Sequence, residues 1–79
     1  EQKVKMLVKN NLAGVIIDRF GKDIMIVPKG KDYSTVFVSV TVSQQFFGWI
    51  FGLGKEVCIL SPPHVVNQMK QALTDALEG

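Results

Sequence analysis

From Lys3 to Lys9 the chain alternates, with Val4, Met6 and Val8 on one side and Lys3, Lys5, Leu7 and Lys9 on the other. That two-residue period predicts a half-buried strand. Asn10 or Asn11 is then a suitable cap for a helix carrying Leu12, Val15, Ile16 and Phe20 at three- and four-residue spacings, which Gly21 ends. Ile24 to Val27 predicts a second strand, and Pro28 to Asp32 supplies turn residues. Thr35 to Val42 alternates most clearly: Val36, Val38, Val40 and Val42 share one face, and Thr35, Phe37, Ser39 and Thr41 the other.

Ser43 is an N-cap for a second helix, in which Phe46, Phe47, Trp49, Ile50 and Leu53 supply bulk. Gly48 and Gly52 weaken that helix by about 1 kcal/mol each relative to Ala, which predicts that they serve close packing. After Gly54 and a Lys55-Glu56 turn, Val57 to Leu60 predicts a fourth strand. Ser61, Pro62 and Pro63 open a last helix, since proline is tolerated in a first turn. Val66, Met69, Leu73, Ala76 and Leu77 recur on one of its faces.

The order strand, helix, strand, strand, helix, strand, helix predicts an α+β fold: a ferredoxin-like β-α-β-β-α-β antiparallel sheet with an added C-terminal helix. The first and third strands become the central pair. Helices cover the valine-rich face, and the other face presents Lys3, Lys5, Leu7, Phe37, Ser39 and Thr41.

At 79 residues, with 47% hydrophobic and 20% charged, the chain has room for a single domain over residues 1–79 and is too apolar for disorder. A formal net charge of +2 does not by itself mark a polyanion-binding domain. The single cysteine, Cys58, excludes an internal disulfide and reads as a buried thiol in an apolar run, which fits a reducing, cytoplasmic setting. No stretch approaches the roughly 18 to 20 apolar residues of a membrane span, so no membrane partner is expected. The chain begins at Glu1 and enters a strand pattern almost at once, which suggests a C-terminal piece of a longer protein.

Catalytic chemistry is poorly supported. Nucleophilic catalysis needs a nucleophile, a base and an orienting group, whereas the one histidine, His64, follows two prolines and Cys58 lies in a strand. Metal sites need clusters of ligands, and none is visible; no cofactor is expected. Gly48, Gly52 and Gly54 do not form a phosphate-binding loop, because they lie in and at the end of a helix. The apolar segment from Phe46 to Phe51 lacks the basic polar face of an interfacial helix, which favours a core role. The open sheet face is the better candidate. Phe37 with Lys3 and Lys5 matches in outline a surface that stacks bases and meets phosphates, although the aromatic consensus of RNA-recognition motifs is absent. The competing reading is a small apolar patch of Phe37 and Leu7 covered by another domain or subunit.

Trp49-Ile50-Phe51-Gly52-Leu53-Gly54, then Val57, Ile59 and Leu60-Ser61-Pro62, then an amphipathic helix, resembles the C-terminal extension (WCX) domain of bacterial WYL-domain helix-turn-helix transcriptional regulators. Val36, Val38 and Val40 match the strand preceding the Trp segment, while Phe51 replaces the usual Leu and Lys31 to Ser34 replaces an acidic-glycine turn. The resemblance implies a non-enzymatic module of a transcription factor. Its partners would be a second copy in a homodimer, DNA through an N-terminal helix-turn-helix outside this chain, and a nucleic-acid or nucleotide effector. The alternative is a small-molecule-binding ferredoxin-like regulatory domain of a metabolic enzyme.

Overall fold

A computed structural model of the chain describes residues 1–78. Four strands, β1 (Gln2–Lys9), β2 (Met25–Lys29), β3 (Tyr33–Val40) and β4 (Val57–Ser61), form one sheet in the order β2-β3-β1-β4, with every neighbouring pair antiparallel. Three helices, α1 (Ala13–Phe20), α2 (Gln44–Gly52) and α3 (Pro63–Glu78), complete an α+β fold with a ferredoxin-like order of elements. Short 3₁₀ turns at Asn10–Leu12 and Gly54–Glu56 precede α1 and β4, and a register shift between Lys5 and Met6 interrupts the β1–β4 ladder.

β1 and β3 are the central pair, with Val4 opposite Val38 and Lys5 opposite Phe37. Side chains alternate between faces along a strand, so this register puts Val4, Met6, Val8, Val36, Val38 and Val40 on one buried face. Ile16 from α1, Phe46, Phe47 and Ile50 from α2, Val57 and Ile59 from β4, and Val65 from α3 close over it.

Ser43 caps α2 as expected: its Oγ accepts from the Phe46 backbone N–H at 3.2 Å. Trp49 is half-buried; its ring meets Phe20 edge-on at 5.4 Å, and the Arg19 guanidinium lies 5.5 Å from it. Gly21 ends α1 with φ at 92°, a conformation that favours glycine.

Several expectations need correction. Neither Asn10 nor Asn11 caps α1, which starts after the 3₁₀ turn without a side-chain cap. Asn10 instead ties the end of β1 to the β2–β3 turn. Its backbone N–H donates to Asp32 O (2.8 Å), its Nδ2 donates to Lys31 O (3.2 Å), and its Oδ1 accepts from Ser34 Oγ (2.7 Å). A short polar side chain competes here for backbone groups other than those of the helix. Pro28 lies in β2 rather than in the turn, which is possible because β2 is an edge strand. β3 starts at Tyr33 and stops at Val40, although Val42 still packs on the core.

Gly48 and Gly52 do not permit close packing: both are exposed, and a Cβ built on either would meet nothing within 4 Å. Cys58 is exposed, because β4 turns Val57 and Ile59 inward and Cys58 outward. On α3 the buried stripe is Val65 with Val66, Met69 and Ala72, while Leu73, Ala76 and Leu77 are exposed. The stripe is rotated from the expected one because the helix lies against the body only as far as Ala72.

Candidate contact face of the sheet

The face that the helices leave bare is built by register. One row across the strands reads Val27, Thr35, Leu7, Cys58, and the next reads Met25, Phe37, Lys5, Ser61. Met25 is 61% exposed, Val27 45% and Leu60 42%, while Phe37 and Leu7 are half-buried between their cross-strand neighbours. Thr35, flanked by Val27 and Leu7, is buried even on this side. A contiguous exposed apolar band of this kind marks a contact surface more often than isolated surface residues do.

Lysines border the band. Lys3, Lys5 and Lys9 project from β1 at alternate positions, and Lys29 stands at the end of β2. Lys5 and Phe37, paired in register, also touch: the Lys5 Nζ lies 5.9 Å from the Phe37 ring centroid. A cation–π contact at a solvent-exposed site is worth about 0.5–1 kcal/mol, so it holds the lysine over the ring without fixing it there. Lys3 lies opposite Ser39, one pleat further along β1 on the same face. The fold therefore brings all three candidate residues, Lys3, Lys5 and Phe37, onto one surface. Lys9 differs from the others: its Nζ lies 3.6 Å from the Glu56 carboxylate.

Beyond Lys3, Lys5 and Phe37, the exposed Met25, Val27, Cys58 and Leu60 belong to this face. A signal for Met25 and Val27 was present, since Ile24-Met25-Ile26-Val27 has no polar alternation, which means β2 is apolar on both sides. His64 lies away from this surface, exposed in the first turn of α3, where its Nε2 hydrogen-bonds Gln2 Oε1. Among the described residues no group of three or more His, Cys, Asp or Glu is placed to hold a metal ion, and no helix is long and apolar enough to cross a membrane.

Compared with known proteins, residues 1–77 match a protein-family model described as the WCX domain. No curated protein and no solved structure matches the chain.

Proposed function

The chain belongs to the WCX domain family, a regulatory family associated with WYL-type transcriptional regulators, and from that premise we propose that it is the effector-responsive and dimer-forming module of a cytoplasmic DNA-binding regulator. DNA is read by a helix-turn-helix outside this chain. The bare sheet face meets a nucleic-acid or nucleotide effector, with Phe37 offering a ring for stacking and Lys3 and Lys5 meeting phosphates. The observation that supports this reading is the convergence of Lys3, Lys5 and Phe37 on a face that the chain's own helices do not cover. Its apolar centre supplies contact area, and its lysine border disfavours pairing of two such faces head on, since like charges would be juxtaposed. The dimer contact therefore falls elsewhere, on the helix side, where Val15, Phe51, Leu73 and Leu77 are exposed and Leu77 at the free end of α3 is the most open.

Titration of a labelled single-stranded oligonucleotide tests the effector contact. Binding weakens with salt, and Lys5→Ala lowers the slope of log K against log salt by about 0.7, the contribution of one phosphate contact on a single strand. Phe37→Ala removes a stacking partner, worth about 1–3 kcal/mol per base. Binding that neither variant alters would end this reading. The solution mass of the domain and of its parent protein tests the dimer: monomers of both at high micromolar concentration exclude it. Family membership favours this reading over a domain serving a metabolic enzyme.

A further inference from the structure

At one end of the bare face, β2 starts late. It pairs with β3 only from Met25 opposite Phe37 to Lys29 opposite Tyr33, whereas β1 accompanies β3 as far as Gln2 opposite Val40. Residues Val38 to Val40 of β3 thus have a strand on one side only, and their outward edge presents unpaired backbone N–H and C=O groups. A cleft of about 340 Å³ occupies the place where β2 would have continued. Phe20, Ile24, Met25, Phe37 and Val38 give it apolar walls, and Lys3, Asp23 and Ser39 complete its lining. Its volume is at the lower end of the ~300–1,000 Å³ range of small-molecule sites.

The charges in this lining are opposite and separate. Lys3 stands on β1 and Asp23 on the loop before β2, with β3 between them, and among the described residues neither takes part in an ion pair. Ser39, across from Lys3, is exposed, and its hydroxyl is free to donate or accept. A cation, an anion, a hydroxyl and an open strand edge around an apolar floor are together complementary to one small chemical class.

We propose that this cleft binds a zwitterionic amino-acid compound with an apolar side chain, either a free amino acid or a dipeptide. Its carboxylate faces Lys3 and the Ser39 hydroxyl, its ammonium faces Asp23, its polar backbone atoms lie along the open edge of β3, and its side chain rests on Met25, Phe20 and Phe37. A ligand with one charge leaves either the lysine or the aspartate unmatched, and a fully polar ligand leaves the apolar walls wet. The proposal goes beyond the nucleic-acid reading and stands if the sheet face binds no oligonucleotide.

Amide chemical-shift titration of the ¹⁵N-labelled domain is the test, with L-phenylalanine, L-leucine and leucyl-leucine as probes and 3-phenylpropionate and phenethylamine as singly charged controls. Saturable shifts are expected at Met25, Phe37, Val38 and Ser39, with the singly charged controls at least about tenfold weaker. Lys3→Ala and Asp23→Asn, both changes of exposed side chains, should each weaken the zwitterions by a similar factor and leave the rest of the spectrum unchanged. Tighter binding of the dipeptide identifies a peptide as the source; tighter binding of a free amino acid identifies that instead. No saturation up to about 10 mM, equal binding of a singly charged control, or indifference to both variants overturns the proposal. Lys5, outside the cleft lining, separates the two readings: Lys5→Ala leaves zwitterion binding intact, and Asp23→Asn, which removes a negative charge, does not weaken oligonucleotide binding.

Discussion

The two faces of the sheet contain the same kinds of residue in opposite circumstances. Met6 and Met25 are both strand methionines, yet Met6 is 0% exposed beneath the helices and Met25 is 61% exposed on the reverse. The cause lies in the connections. β1 crosses to β2 through α1, and β3 crosses back to β4 through α2; right-handed crossovers in both directions bring both helices to the same side. With α3 added to that same side, no element among the described residues covers the other. The exposure of the apolar residues on the bare face is therefore a consequence of topology.

The sharpest way to break this contrast is to truncate one methionine on each face. Met6→Ala removes a fully buried side chain from a closed core and should cost about 2–5 kcal/mol, enough to threaten folding in a chain of this size. Met25→Ala should stay within about 0.5 kcal/mol, as exposed substitutions do. Urea unfolding of the two variants measures both values. A large loss at Met25 would mean that the reverse face is already part of a core, through self-association or otherwise. Repeating the measurement over a range of protein concentrations distinguishes those cases, because stability coupled to assembly depends on concentration.

A smaller effect, of opposite sign, is expected on the helix side. Gly48 lies inside α2, is exposed, and has nothing within 4 Å of a built Cβ. Gly48→Ala should therefore stabilise the isolated domain by up to about 1 kcal/mol, through higher helix propensity and a less flexible unfolded chain. A rise in the thermal midpoint checks this. A fall would show that the outer side of α2, like the bare sheet face, is not free in solution.

The alternating strands were legible in the sequence because a period of two in Val4-Met6-Val8 and Val36-Val38-Val40 has one physical reading: an inside and an outside. From that alternation and the element order, the central pair and the grouping of Lys3, Lys5 and Phe37 followed. Where the pattern lost its period the reading failed. Val57 to Leu60 and Ile24 to Val27 are apolar at every position, so nothing local says which side is covered, and neither the exposure of Cys58 nor that of Met25 and Val27 can be read from the pattern. The stripe on α3 failed for a different reason. Val65, Val66, Met69, Leu73 and Leu77 fall on overlapping helical faces, and how far the helix runs beyond the sheet is a tertiary fact. Asn10 offered a cap and became a brace, because its true partners, Lys31, Asp32 and Ser34, lie more than twenty residues away.

The smallest expected effect divides the lysines of the bare face among themselves. Lys9 has a partner within the chain, Glu56 at 3.6 Å, and both side chains are close to half exposed, so a double-mutant cycle should find a coupling of no more than about 0.5 kcal/mol that fades with added salt. The sequel is more informative than the coupling itself. Glu56→Gln releases Lys9 and removes a negative charge from the rim, so if the face meets a polyanion, oligonucleotide binding should tighten and its salt slope steepen by about 0.7, the mirror image of Lys5→Ala. If the face is instead an apolar dock for another protein domain, Glu56→Gln should leave the slope unchanged while Met25→Ala and Phe37→Ala weaken docking, because burial and not counterion release would then supply the affinity. One substitution at the edge of the sheet thus discriminates between the partners that its topology leaves room for.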